Sequence, residues 1–246
     1  MYLTINSISF ALNSTFKING LSLEVDKGEM IGIIGPNGSG KTTLLKLIAG
    51  VIKPHSGTIV LDNRDMHRLK QRALARIRAY VPEAIDLPFD YTVYEMTALG
   101  RHPYTTIFSK HDEKDKIAIN NALELTDIKQ LSHRRFFTLS MGEKQRALLA
   151  MAIAQEPELL LLDEPISHLD IGHQLGFMNT LKSLHRNGIT IISAMHELPI
   201  AMEFFERLCL LDNGCIVTVQ HPESKELVKS IKQTFHISDE RFIVRP

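Results

Sequence analysis

The feature that most constrains this chain is a glycine-rich turn between an apolar strand and an apolar helix. The turn runs from Gly35 to Thr42 and fits the pattern GxxxxGK followed by Ser or Thr. Met30–Ile34 predicts a short buried strand before it, and the apolar stripe in Thr42–Ala49 predicts a helix after it. The pattern alone arises by chance in roughly 1% of chains of this length. The strand and helix on either side argue against chance.

The residue types in this turn suit a nucleoside triphosphate. Glycines let backbone N–H groups turn inward around phosphate oxygens, and the helix N-terminus adds the positive end of its dipole. We expect Lys41 to reach the β- and γ-phosphates and the Thr42 hydroxyl to bind Mg²⁺. The predicted nucleotide site consists of Gly35, Pro36, Asn37, Gly38, Ser39, Gly40, Lys41, Thr42 and Thr43.

A second motif places two carboxylates at the end of an apolar strand. Leu159–Leu162 predicts a buried strand, and Asp163 and Glu164 follow it. Ligands of open α/β sheets bind at the carboxyl edge of the strands. We therefore expect Asp163 to hold Mg²⁺, directly or through water, and Glu164 to polarise an attacking water. An acidic turn that merely closes a strand is the alternative, and the phosphate-binding turn argues against it.

The remaining pattern indicates strands that alternate with helices, which favours a largely parallel sheet. Residues from about 64 to 135 are richer in helix formers and charge, which predicts a helical insertion. The predicted strands are Thr4–Phe10, Leu21–Val25, Ser56–Leu61 and Ile189–Ala194, and the predicted helices include Met141–Gln155 and Gln174–Arg186.

Composition limits the function classes. The 246 residues carry 28 basic and 28 acidic side chains, so zero net charge gives no reason to expect a nucleic-acid partner. The longest strictly apolar run, Ala147–Ala154, is far shorter than the roughly 20 residues that span a bilayer. Cys209 and Cys215 lack metal or redox spacing, which suits a reducing cytoplasm. The N-terminus shows no signal-peptide pattern.

The basic stretch from Arg64 to Arg78 is a local exception to this balance. We interpret it as the solvated face of a helix. A surface that faces nucleic acid or lipid headgroups is the alternative.

The segment from Leu139 to Arg146 carries the clearest resemblance. Ser140 followed by Glu143 forms a capping box, which predicts that a helix begins here, and a serine, a glycine and a helix N-terminus together suit a phosphate. The segment is similar to the LSGGQ or LSxGExQ signature of the ATP-binding subunits of ABC transporters. The order of the phosphate loop, this signature, the acidic strand end and His196 also resembles that family.

The resemblance implies an α/β fold. The expected architecture is a P-loop NTPase core with a largely parallel sheet, an N-terminal antiparallel β portion and a helical subdomain at about residues 84–150. All of it would form one domain over residues 1–246. The expected activity is ATP hydrolysis with Mg²⁺, with Glu164 and His196 as catalytic residues.

The resemblance also implies a partner chain for the site. In the family, two copies pair head to tail, and the signature of one contacts the ATP of the other. By that resemblance Ser140, Met141, Gly142 and Glu143 would serve the partner's nucleotide. Asp170, in the segment Ser167–Asp170, would lie at the dimer contact.

Two positions depart from the family pattern. Glu83 stands where a glutamine usually touches Mg²⁺ or the attacking water. A carboxylate can still bind Mg²⁺, and we include it with Thr42 and Asp163 as a predicted ligand. Its charge near the γ-phosphate predicts altered ATP affinity or coupling. The adenine-stacking aromatic is the second departure, because the usual position aligns near Leu12; Phe16 is the candidate substitute.

The segments Pro88–Tyr104 and Pro165–Gln174 resemble the subunits that power uptake of iron–siderophore complexes, haem and vitamin B12. This implies two transmembrane permease subunits, an extracytoplasmic binding protein and a peripheral location at the cytoplasmic face of the membrane. A soluble ABC ATPase of translation or DNA repair is the alternative. It is disfavoured because the chain shows one motif set and no sustained heptads. A lone phosphate-loop kinase is disfavoured by the signature.

Overall fold

The computed structural model describes residues 1–11, 17–105 and 111–237. The strands are β1 (Leu3–Ala11), β2 (Lys17–Val25), β3 (Met30–Ile34), β4 (Ser56–Leu61), β5 (Arg64–Asp65), β6 (Arg78–Val81), β7 (Leu159–Asp163), β8 (Thr190–Ala194), β9 (Arg207–Asp212) and β10 (Cys215–Gln220). The α-helices are α1 (Lys41–Ile48), α2 (Gln71–Leu74), α3 (Val93–Ala98), α4 (Glu113–Leu125), α5 (Met141–Ala154), α6 (Ile171–Arg186), α7 (Leu198–Phe204) and α8 (Lys225–Thr234).

The strands form two sheets. A four-stranded antiparallel sheet has the order β2-β1-β4-β5, and a six-stranded sheet has the order β10-β9-β3-β8-β7-β6. In the second sheet, β9, β3, β8, β7 and β6 pair in parallel and β10 is antiparallel. The predicted α/β class, with a largely parallel sheet and an N-terminal antiparallel portion, is confirmed.

The central strands are apolar because both faces of the sheet are covered. Every residue of β3, β7 and β8 is buried. Along β7 the leucines alternate between two cores: Leu160 and Leu162 pack with α5 and α6, and Leu159 and Leu161 pack with α1 and the antiparallel sheet. Each such leucine contributes about 1.5–3 kcal/mol relative to exposure. The interior polar residue of β8, Ser193, is uncharged, and within these three strands charge occurs only at the end of β7, at Asp163.

Three helices, α3, α4 and α5, occupy residues 93–154, within the region for which a helical subdomain is predicted. Each begins at a capping box, in which the N-cap side chain and the carboxylate at the third helical position bond each other's backbone N–H. The N-caps are Thr92, Asp112 and Ser140. Because the capping box satisfies otherwise unpaired N–H groups, these residues fix where each helix begins.

Most cations of the basic stretch are solvent-exposed, as interpreted, but the prediction that they lie on one helix is wrong. The segment forms β5, a single 3₁₀ turn, the four-residue helix α2 and the start of β6. The Nε atoms of Arg72 and Arg76 donate to the Pro103 carbonyl oxygen at 2.9 and 3.0 Å. Arg78 is largely buried, and burial lowers its pKa to about 10. Arg72 and Arg76 remain exposed, and their hydrogen bonds to Pro103 also link this segment to the helical region.

The C-terminal part contains a hairpin that the sequence interpretation did not predict. β9 and β10 pair with Asp212 opposite Cys215, so the turn consists of Asn213 and Gly214 alone. Both residues have positive φ, 47° and 74°, as a type I′ turn requires. The dipeptide Asn-Gly between apolar runs is the sequence signal that could have revealed it.

A buried ionic cluster at Arg101 supports the helical region. The Arg101 side chain is 4% exposed. Its Nε donates to Asp115 Oδ1 at 2.8 Å, and its Nη1 donates to the Ala154 carbonyl at 2.8 Å and to Glu156 Oε2 at 2.6 Å. The guanidinium also lies 4.0 Å from the centre of the Tyr104 ring. The cluster therefore joins the start of α4 to the end of α5.

We expect Arg101→Ala to lower the free energy of unfolding by about 3–5 kcal/mol, because Asp115 would be left buried without its cation. Lys116→Ala is the control, since Lys116 pairs with Glu113 at the surface; its unfolding midpoint should stay close to that of the unchanged chain. Urea denaturation measures both. Equal midpoints for the two variants would show that the Arg101 cluster adds nothing to stability.

Candidate nucleotide site

The phosphate loop connects β3 to α1. Gly38 and Gly40 adopt positive φ values of 79° and 111°, which glycine reaches without strain. Lys41 opens α1 and is 4% exposed. Its Nζ donates to the carbonyl oxygens of Gly35 at 3.0 Å and Pro36 at 3.4 Å, so it lies across the loop. Burial lowers the pKa of Lys41, and the Glu164 charge opposes that change.

Asp163 ends β7 beside the loop. The Thr42 hydroxyl donates to its Oδ1 at 2.9 Å, which joins residues of the two predicted motifs. The Tyr80 hydroxyl donates to its Oδ2 at 3.1 Å. Asp163 is 2% exposed, and burial raises its pKa against the effect of these two hydrogen bonds. Tyr80 was not predicted, because no motif surrounds it; it reaches Asp163 because β6 pairs in parallel with β7.

Glu164 lies between a histidine and a lysine. Its Oε1 is 2.7 Å from His196 Nε2 and 3.7 Å from Lys41 Nζ. The residue has a φ of 50°, unusual for a side chain other than glycine, asparagine or aspartate. Its N–H donates to the Ala194 carbonyl at the end of β8, at 3.1 Å, which holds this backbone in place. Burial raises the pKa of Glu164, and the charges of His196 and Lys41 oppose the increase.

Glu83 follows β6 and borders the same group of charges. Its Oε1 lies 3.9 Å from His168 Nε2, and both side chains are about half exposed. Burial is the main cause of the raised pKa of Asp163 and of Glu164, and the negative charge of Glu83 raises both further. Glu83 therefore adds a third carboxylate to this edge of the sheet.

The donor chemistry at this edge fits Mg²⁺. The Thr42 hydroxyl and an Asp163 carboxylate oxygen converge to 2.9 Å, and both are hard oxygen donors. Mg²⁺ in nucleotide sites takes one or two protein oxygens and completes its shell with phosphate oxygens and water. These two residues would hold the ion, and Glu83 is half exposed beside them.

The signature segment lies at the N-terminus of α5 and contacts a different part of the chain. Ser140 Oγ accepts from the Glu143 N–H at 3.3 Å, and Glu143 Oε2 accepts from the Ser140 N–H at 2.7 Å. A Cβ on Gly142 would lie 3.1 Å from the His173 ring. Asp170 caps α6 and contacts His173 Nδ1 at 2.6 Å. The structure thus brings Gly142 of the signature to His173, which Asp170 contacts, whereas the phosphate loop and the start of α1 contact the end of β7.

Other predicted residues are placed as follows. Met141 is 49% exposed beside Ser140 on the outer surface. Thr43 follows Thr42 in the first turn of α1. Phe16, the candidate for stacking on adenine, and Leu12 lie outside the described residues.

This arrangement of motifs on this fold has known counterparts. A family model described as ABC transporter matches residues 18–167. The chain belongs to the ABC transporter family. It is therefore an ABC ATPase, and the interpretation as a lone phosphate-loop kinase is excluded.

Relatives of this ABC cassette include named transport proteins. It is 37% identical over 213 residues to the petrobactin import ATP-binding protein FpuC of Bacillus anthracis, covering 86% of this chain and 78% of FpuC. It is 33% identical over 224 residues to the iron(3+)-hydroxamate import ATP-binding protein FhuC of Bacillus subtilis, covering 91% and 83%. These relatives favour a transport ATPase over a soluble ABC ATPase of translation or DNA repair.

A solved structure supports the same fold. The dimeric structure of MJ0796, a bacterial ABC transporter cassette, superposes on this ABC cassette with a TM-score of 0.79 and 25% sequence identity. The match covers 89% of this chain and 98% of that one.

We expect Glu83→Gln to change the ATPase rate or its dependence on Mg²⁺, because it removes one negative charge beside Asp163 and Glu164. Steady-state hydrolysis measured across a Mg²⁺ titration tests this. Asp86→Asn is the control, since it removes an exposed carboxylate three residues further along the chain. An unchanged rate and an unchanged Mg²⁺ dependence in Glu83→Gln would refute the role of this carboxylate.

Proposed function

We propose that this ABC ATPase hydrolyses ATP to power import of a chelated-metal or cobalamin-type cargo through a membrane permease. The observation that carries the chemistry is the convergence of Lys41, Thr42, Asp163, Glu164 and His196 at one edge of the parallel sheet. The cargo class is supported by the import proteins FpuC and FhuC to which the chain is similar. An iron–siderophore complex is the favoured cargo, and haem and cobalamin are the alternative cargoes.

Each residue has a role that its surroundings support. Lys41 and the loop N–H groups bind the phosphates. Thr42 and Asp163 would hold Mg²⁺, which when bound would neutralise phosphate charge. Glu164 acts as the general base on the attacking water, because its raised pKa makes it a better proton acceptor than an exposed glutamate. His196 contacts Glu164 at 2.7 Å and is placed to stabilise the γ-phosphate.

We propose that the working unit is a head-to-tail dimer of two copies. Ser140 and Glu143 bond each other within their own helix and Gly142 packs against α6, so these contacts do not tie the signature to this chain's own phosphate loop. By resemblance, the signature would cap a nucleotide held by a second copy. Asp170 would lie at the contact between the copies. The dimeric structure of the similar cassette MJ0796 supports this assembly.

We also propose a peripheral location at the cytoplasmic face of the membrane. The part of the chain that the structure describes has no helix whose length and apolarity would let it cross a bilayer. Two transmembrane permease subunits would anchor it, and an extracytoplasmic binding protein would deliver the cargo. A nucleic-acid partner is not expected.

Glu164→Gln should trap a dimer in the presence of ATP and Mg²⁺, because ATP would bind while the attacking water is no longer activated. We expect hydrolysis to fall roughly 10²-fold or more. Light scattering coupled to size-exclusion chromatography measures the dimer. Glu158→Gln is the control: Glu158 lies just before β7 at the opposite edge of the sheet and pairs with Lys27. A Glu164→Gln variant that stays monomeric at saturating ATP would contradict the dimer mechanism.

Copurification from native membranes tests the transport role. We expect the chain to be recovered with a multi-spanning permease, because the ATPase needs such a partner to move cargo. Mass spectrometry of the solubilised complex identifies the partner. Recovery with ribosomes or DNA instead would overturn the proposal.

A further inference from the structure

The hairpin formed by β9 and β10 lies directly behind the phosphate loop. β9 pairs in parallel with β3, with Leu210 opposite Ile34, so β9 continues where β3 gives way to the loop. The carbonyl oxygen of Leu211 is so close to Gly35 that a Cβ there would lie 2.1 Å from it. The backbone of the hairpin therefore packs directly against the phosphate loop and leaves no space for a side chain at Gly35.

One hydrogen bond joins the hairpin turn to the loop. The Gly214 N–H donates to the Ser39 carbonyl oxygen at 2.8 Å. The C=O and N–H of a trans peptide point in opposite directions, and the plane of the peptide is rigid. Since the Ser39 carbonyl points toward the hairpin, the Gly40 N–H of the same peptide points away from it. The bond thus sets the direction of an N–H at the start of α1.

The turn itself has no room to adjust. Gly214 has a φ of 74°, and a Cβ there would lie 1.9 Å from the Lys17 carbonyl oxygen and 2.8 Å from the Lys17 carbonyl carbon. Both atoms are backbone at the start of β2, so they cannot swing aside as a flexible side chain can. The turn is therefore in contact with the antiparallel sheet on one side and with the phosphate loop on the other.

We propose that Gly214 is a positioning residue for nucleotide binding, because its N–H orients the Ser39–Gly40 peptide so that the Gly40 N–H meets the phosphates. This inference rests on the proposed ATP site. A glycine some 170 residues away from the loop in sequence would then set the affinity of the loop without touching the nucleotide. The close packing against β2 also ties the position of the loop to that of the antiparallel sheet.

The test is Gly214→Ala, with Gly188→Ala as the matched control. Gly188 has a similar φ of 88°, but a Cβ there meets no atom within 4 Å, and it lies just before β8 at the opposite edge of the sheet. Both alanines carry the same backbone strain, and only the one at position 214 displaces the turn. We expect the Kd for Mg-ADP to rise about tenfold in Gly214→Ala and to stay at the original value in Gly188→Ala.

Calorimetric titration with Mg-ADP, at a temperature where circular dichroism shows all three proteins folded, gives these constants. ATPase kinetics should show a raised KM with kcat retained, because the N–H contacts phosphate before and during the reaction. If Gly214→Ala binds ADP as tightly as the unchanged chain, the inference about Gly214 is overturned but the proposed ATP site is not. Failure of the unchanged chain to bind ADP would overturn the proposed ATP site, and the inference with it.

A second measurement covers the case in which Gly214→Ala does not fold. Hydrogen exchange in the unchanged chain should show the Gly214 amide exchanging more slowly when Mg-ADP is added, because a loop fixed by nucleotide stabilises the Ser39 acceptor. The Gly188 amide should not change. Equal exchange at Gly214 with and without Mg-ADP would overturn the inference.

Discussion

The parallel pairing of β3, β8 and β7 is the constraint on which the rest of the structure depends. Helices and the antiparallel sheet cover both faces of these strands, so their interior positions carry no charge and, except at Ser193, are apolar. The chain can place charge only where the strands end, and parallel pairing brings the three carboxyl ends to one edge. Lys41, Asp163 and Glu164 meet there although more than 120 residues separate the lysine from the carboxylates.

Bringing these charges together has an electrostatic cost that the site offsets locally. Burial raises the pKa of both carboxyl groups and lowers that of Lys41, so each charged form is disfavoured alone. Thr42 and Tyr80 donate hydrogen bonds to Asp163, and Lys41 with His196 flanks Glu164. A cation between Asp163 and bound phosphates would offset the cost further. The buried carboxylates and the buried lysine destabilise the site when it is empty, and they are the groups that suit Mg²⁺ and a triphosphate.

The phosphate loop and the signature segment contact different parts of the chain. The phosphate loop contacts the backbone of Leu211 and Gly214 on one side, and Thr42 bonds Asp163 at the end of β7 on the other. The signature instead begins a helix whose cap is satisfied by its own residues and whose neighbour is α6. The phosphate loop is therefore positioned by other strands of the chain, whereas the signature is held by its own helix and by α6. This division is the physical basis of the proposed dimer.

Several features of the fold and the site are encoded by a few neighbouring residues and could be predicted from them. Glycines at the positions of positive φ mark the loop, apolar runs mark β3 and β7, and the spacing of Ser140 and Glu143 marks the start of α5. Local backbone requirements fix each of them. The α/β class follows from the same alternation of strands and helices, and the resemblance to ABC subunits rests on these motifs.

Contacts between groups far apart in the sequence could not be predicted in this way. Tyr80 reaches Asp163 through the pairing of β6 with β7, and Gly214 reaches Ser39 because β9 lies next to β3. The exposed cations Arg72 and Arg76 both donate to the Pro103 carbonyl, a contact that their spacing in the sequence did not reveal. The spacing of apolar residues along a helix or strand indicates which of its faces is buried. It carries no information on which strand lies next to which. That choice depends on how the whole chain packs.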